Sequence, residues 1–125
     1  MSRIRSHGNK ATELRLVEIL WTYRISGWRR KQKLPGNPDF VFRKERVCIF
    51  VDGCFWHGCP QCYRRPGSNR KYWDEKVRKN RSRDRSVTSQ LRKDGWRVLR
   101  IWEHELAQKK EARLVVRIRK EAGFA

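Results

Sequence analysis

The sequence predicts an α/β domain, a mixed sheet flanked by helices, and three observations lead there. Segments of helical and strand-like period alternate, in the order helix, two strands, loop, helix, strand, helix. The length of 125 residues supports one core and not two, so a single domain is expected over residues 1–125. Six Trp, five Phe and three Tyr stand among 32 Lys and Arg, rings that a disordered basic tail would lack.

The first helix is expected over residues 12–24, where Leu14, Val17, Leu20 and Trp21 recur at helical spacing. Glu13 falls in line with Val17 and Leu20. A carboxylate there either points into a polar site or simply favours the start of the helix. Residues 25–37 hold Gly27, Pro35, Gly36 and a run of cations, and read as a loop or ragged hairpin facing phosphate. Two strands follow, at 38–42, opened by a proline, and at 46–51, a β-branched and aromatic run. Cys48 lies inside the second strand and reads as a small core residue.

A long helix is expected over 72–94, stopped by Gly95. Its inward line, Trp73, Val77, Asn80, Asp84, Val87 and Leu91, carries two polar residues. These either line a pocket or hydrogen-bond a neighbouring loop. Residues 96–102 alternate as a strand, and a last helix is expected over 106–120 with Leu114, Val115 and Ile118 inward.

Thirteen acidic residues against the 32 basic ones give a formal charge of +19 and a pI near 10.9, so a polyanion is the natural partner. Charge reports affinity for phosphate and not chemistry, and a nonspecific basic protein would show it too. No stretch reaches the roughly 18 apolar residues of a membrane span and no hydrophobic signal region opens the chain, so a soluble, cytoplasmic protein is expected.

The most specific spacing is Cys54-x4-Cys59-x2-Cys62, with His104 downstream. Three thiolates and an imidazole complete a closed tetrahedral set for structural Zn²⁺. A redox pair at Cys59 and Cys62 is the alternative, although Pro60 and a third cysteine crowd it. Asp39, after Pro38 at a strand start, could hold a hard cation together with a backbone carbonyl at the end of the next strand. Such a cation binds a scissile phosphate and activates water, but Pro-Asp is also a common turn start. His57 follows that strand, and an imidazole of near-neutral pKa suits proton abstraction with Asp84 to orient it; a zinc ligand or a phosphate contact are its other roles. Phe55, Trp56 and Trp73 flank the cysteines. Such rings either stack on a zinc site or wedge into a base stack.

Four blocks carry a resemblance. They are Leu-Pro-Gly-Asn-Pro-Asp-Phe-Val at 34–41, Val-Cys-Ile-Phe-Val-Asp-Gly-Cys-Phe-Trp-His-Gly-Cys-Pro at 47–60, Trp73 with Asn80 and Arg83-Asp84, and Gly-Trp-Arg-Val at 95–98 with Trp102-Glu103. Together they resemble the very short patch repair endonucleases over nearly the whole chain. The resemblance implies a restriction-endonuclease-like fold, with Asp39 and the carbonyl of Val51 as Mg²⁺ contacts, His57 as general base, Asp84 as its partner and Glu13 as an acid near the site. It implies Phe55, Trp56 and Trp73 as rings intercalating beside a mismatch, with Asn80 on the same DNA-facing side. Cys54, Cys59, Cys62 and His104 match zinc ligands. The implied activity is cleavage of one strand 5′ of the T in T:G mismatches left by deamination of 5-methylcytosine. The implied setting is a monomer on double-stranded DNA in the bacterial cytoplasm, at the nucleoid, alongside mismatch-repair proteins.

Two departures bear on this. Val51-Asp52 stands where the family pattern has Thr-His, so the second metal contact can only be backbone and an acid replaces a polar active-site side chain. In relatives, the stretch matching Met1-Ser-Arg-Ile-Arg follows a helical segment that clamps DNA; either this start is internal or DNA is gripped differently, and mismatch preference follows less firmly than nuclease activity. A nicking nuclease without mismatch selection and a noncatalytic zinc-stabilised DNA-binding module are the competing readings.

Overall fold

In the computed structural model of the chain, residues 10–53 and 67–122 are described. The segment 54–66, with Cys54, Phe55, Trp56, His57, Cys59 and Cys62, lies outside the described residues.

The sheet has four strands in the order β1-β2-β3-β4: β1 Trp28–Arg29, β2 Phe40–Phe42, β3 Val47–Asp52 and β4 Arg97–Trp102. β1, β2 and β3 run antiparallel, and β4 is parallel to β3, in register from Val47↔Arg97 to Asp52↔Trp102. This is the expected mixed sheet. The segment 25–37, expected as a loop or a ragged hairpin, contributes β1. β3 is buried at every position because helices cover both its faces, which explains its near-continuous apolar run.

Val47, Ile49 and Val51, with Phe40 and Phe42 of β2, face one core shared with α1 (Lys10–Thr22) and α3 (Glu111–Ala122). Cys48 and Phe50, with Val41, face a smaller core under α2 (Arg70–Lys93). The period of two thus sorts the sheet between two helical layers.

α1 buries Leu16, Ile19 and Leu20, while Leu14 and Trp21 are 47% and 72% exposed. The expected face is therefore wrong by roughly a third of a turn. Apolar residues occupy positions 14, 16, 17, 19, 20 and 21, an arc of roughly 220° at about 100° per residue, and packing against Leu114 and Ile118 selects among them. α1 ends with Arg24 in the left-handed region, where Arg24 N–H reaches the Trp21 carbonyl and Ile25 N–H the Leu20 carbonyl. α2 ends in the same pattern at Gly95, φ +91, as expected from its sequence. On α2 the predicted inward line holds: Val77, Asn80 and Leu91 are buried, and Trp73, Asp84 and Val87 half-buried.

The expected final helix over 106–120 is divided. Two 3-10 turns, Glu103–Leu106 and Gln108–Lys110, precede α3, because Ala107 takes an extended ψ of 143° between them. Leu106 is buried there and its carbonyl accepts from Arg15 Nε at 3.0 Å, tying the turn to α1.

The loop before β2 packs tightly on α2. At Gly36, φ +77, an added Cβ would stand 2.5 Å from Val87 Cγ1 and 3.3 Å from Phe50 Cε1. Val87 is β-branched and held at χ1, so it cannot swing aside. Gly36→Ala is expected to cost about 2–3 kcal/mol, from left-handed strain and overpacking together. Urea denaturation reads this as a lower midpoint with an unchanged slope.

Candidate active site

The site forms where β3 outruns β2. Asp39 N–H still donates to the Ile49 carbonyl, at 2.9 Å, but the chain before it turns away through Gly36 and Asn37, both at positive φ. Val51 N–H, which points to the same edge as Ile49, therefore finds no backbone carbonyl from β2. It donates instead to Asp39 Oδ2 at 2.7 Å. The carbonyl of Val51 leaves the strand on this edge too, since N–H and C=O of one residue project together. An acid and a backbone oxygen are thus brought to one strand end.

Asp39 is only 6% exposed. Burial pushes its carboxyl up to about 7; the Val51 hydrogen bond opposes this, Glu13 and Asp52 push it further, and Arg30 pulls it back. Its second oxygen has no hydrogen-bond partner among the described residues. Glu13, in the first turn of α1, pairs with Arg30 at 3.0 Å, and Arg30 lies 5.7 Å over the Phe40 ring. Glu13 is thus close enough to raise the Asp39 carboxyl, and a cation from just beyond β1 pairs with it between the helix and the sheet.

Asp52 is 3% exposed, an acid inside the sheet. Arg100 Nη1 donates to its two oxygens at 2.9 and 3.2 Å, while Arg100 Nε reaches Thr88 Oγ1 at 3.0 Å and Nη2 the Asp84 carbonyl at 3.3 Å. The guanidinium lies 4.2 Å over the Phe50 ring, its cross-strand neighbour, and 3.7 Å from the Asp84 carboxylate. One cation on β4 therefore joins the end of β3 to the middle of α2. A cavity of about 210 Å³ opens beside it, lined in part by Asn37, Asp52, Arg83, Asp84 and Arg100. Asn80, buried on the same helix line, accepts from Arg83 Nη2 at 2.8 Å. Asn80 and Asp84 are thus tied to arginines, and Asp84 also lines the cavity.

Trp73 is half-buried in the first turn of α2, edge to face with Tyr72 at 5.0 Å. His104 lies in the 3-10 turn after β4, not on the strand itself. Asp52 and Trp102 are the last pair of the β3–β4 ladder, and Cys54 and His104 each follow two residues later in sequence. No group of three or more His, Cys, Asp or Glu suited to a metal occurs among the described residues. Cys48, kept out of the zinc set on sequence grounds, is fully buried, and burial raises its thiol to about 11.

Residues 1–64, a little over half of the chain, match the family model described as DNA mismatch endonuclease Vsr. The chain belongs to the Vsr family. The matched stretch contains Glu13, Asp39, Val51 and His57. Among its relatives is the nicking enzyme V.NaeI of Lentzea aerocolonigenes, 51% identical over 79 residues, which are 63% of this chain and 48% of that protein. The nicking enzyme V.XorIIP of Xanthomonas oryzae pv. oryzae is 38% identical over 112 residues, 86% of this chain and 79% of the relative. The DNA mismatch endonuclease Vsr of Escherichia coli is 42% identical over 95 residues, 74% of this chain and 60% of the relative. The chain thus spans about half of the first of these relatives and three-fifths of the last. Membership makes it one of a family of DNA endonucleases, and no helix among the described residues is long and apolar enough to cross a membrane.

Two features of this Vsr-family site escaped the sequence reading. Arg30 and Arg100 were lost among 32 cations. Asp52 held the usable signal, because an acid ending a buried strand demands a cation on a neighbouring element. Arg100 lies on β4 in line with Val98 on the α2 side, and was the residue to choose.

Proposed function

We propose that the chain is a Mg²⁺-dependent endonuclease that nicks one DNA strand 5′ of the T in T:G mismatches, including those left by deamination of 5-methylcytosine. The observation that carries the reading is the Asp39 carboxylate, anchored on Val51 N–H at a strand end with its other oxygen uncommitted among the described residues. The donor set suits a hard cation. A buried carboxyl lifted to about 7 is short of positive charge, and an adjacent backbone oxygen is the ligand type Mg²⁺ prefers. Asp39 and the Val51 carbonyl would hold the ion, which when bound there polarises the phosphodiester and makes water acidic.

The remaining work falls to this chain's own side chains. His57 takes the proton of the attacking water, and Asp84 orients His57. Glu13 adds negative charge near the cation, balanced by Arg30. Phe55, Trp56 and Trp73 open the stack beside the mismatch, with Asn80 on the same side, and the net charge of +19 holds the phosphates. Cys54, Cys59, Cys62 and His104 would hold a structural Zn²⁺, which would link the segment after β3 to the turn after β4. The parallel ends of the two strands support that pairing.

A panel of T:G and fully paired duplexes incubated with Mg²⁺, with the nicked strand mapped, tests the proposal. Nicks 5′ of the mismatched T at least about tenfold faster than on paired DNA are expected. Equal rates would leave a nicking nuclease without mismatch selection, and binding without any nick would leave a zinc-stabilised DNA-binding module. Nicking itself has separate support, since V.NaeI and V.XorIIP are named as nicking enzymes.

A further inference from the structure

Beyond the cavity at Asp84, a second and larger hollow of about 630 Å³ runs along α2 toward its C-terminus. It shares Asp84 and Arg100 with that cavity and is lined further by Arg85, Thr88, Ser89, Arg92 and Lys93. Arg85, Ser89, Arg92 and Lys93 are exposed, and no ion pair among the described residues holds Arg85, Arg92 or Lys93. Residues 81–93 carry five cations against one acid, Asp84, and that acid already faces Arg100. Guanidinium, ammonium and hydroxyl donors in one open groove match the oxygens of a phosphodiester chain.

We infer that this groove is a backbone track, in which Arg85, Arg92 and Lys93 hold the phosphates of a DNA strand flanking the cleavage site. The inference rests on the endonuclease reading, because the groove begins at Asp84, the residue proposed to orient the general base. Asp84 to Lys93 spans about 13 Å of helix, at 1.5 Å per residue. That is roughly four nucleotides of rise at 3.4 Å each. The track therefore fixes the direction in which the duplex leaves the site. Affinity gained in this way is independent of sequence, so the groove contributes to binding and not to mismatch choice.

The test compares the full chain with R85A/R92A/K93A and with a charge-matched control, K109A/K110A/R113A, whose residues lie next to or on α3, across the sheet from α2. Binding to a 30-base-pair duplex is measured against salt, with the single-turnover nicking rate at saturating protein. The groove variant is expected to bind with a slope of log K against log salt shallower by about one unit per lost contact, about three in all. The saturated nicking rate should stay within about twofold of the starting protein, and the control should lose less than half as much slope. Shortening the duplex on one side of the mismatch should weaken the starting protein but not the groove variant, and this identifies the side. Equal losses in groove and control variants, or a normal slope in the groove variant, would overturn the track while leaving the nuclease reading intact. A starting protein that binds no duplex at all would overturn both.

Discussion

Asp39→Asn is expected to reduce Mg²⁺-stimulated nicking by at least about a thousandfold, since the cation supplies several kcal/mol of transition-state stabilisation and each 1.36 kcal/mol is tenfold in rate. The same substitution should raise stability at neutral pH. Burial lifts the Asp39 carboxyl from an ordinary 3.8 to about 7, so between those pH values the folded chain keeps a proton that the unfolded chain releases. Rising pH therefore favours unfolding through this window, and above about 7 the full penalty is present. The penalty is on the order of 4 kcal/mol before any cation is bound. Asn keeps an oxygen for Val51 N–H but carries no charge. Its thermal midpoint without added Mg²⁺ should exceed that of the starting protein at pH 8, and the gap should close toward pH 4. An inactive but no more stable variant would mean that Asp39 is not a strained buried acid. An active one would remove it from the chemistry.

The second large effect is expected at Arg100. Arg100→Leu leaves Asp52, 3% exposed, without its guanidinium, and breaking a buried pair from one side costs about 3 kcal/mol for a cation that is itself partly solvated. For a chain of this size that is a fall of roughly 10 to 20 °C in thermal midpoint. The double substitution Asp52→Asn with Arg100→Leu should recover most of the loss, because no uncompensated charge remains. A single variant within about 0.5 kcal/mol of the starting protein would show that the β3–β4–α2 junction does not depend on this pair. A double variant no better than the single would assign the loss to the Phe50 and Thr88 contacts instead.

Much of this was legible in the residues. The apolar run of β3, the Pro-Asp step before β2, the glycine at the end of α2 and the polar interruptions at Asn80 and Asp84 each marked a local constraint, and each lies where its constraint requires. The failures have a common cause. α1 is apolar around most of its circumference, so its period could not choose a face, and Leu14 and Trp21 were assigned to a core that Leu16 and Ile19 occupy. The helix expected from 106 instead begins at 111, because Leu106 is pinned under α1 by a partner 91 residues away. Arg30 and Arg100 were invisible for the same reason: which cation meets which acid is set by strand register and helix docking, and these are long-range. The acids Glu13, Asp39 and Asp52 were few enough to be noticed, while the cations that balance them were not.

The proposed chemistry depends on Asp39 holding a divalent cation. Mn²⁺, which favours the same oxygen ligands, can replace Mg²⁺ as a magnetic probe. Its binding is best measured by electron paramagnetic resonance at pH 7.5, on the starting protein and on Asp39→Asn, each bound to a T:G duplex. One protein-dependent Mn²⁺ site that disappears in the variant, with DNA binding retained, is the predicted result. The same site, at the same affinity, in both proteins would contradict it.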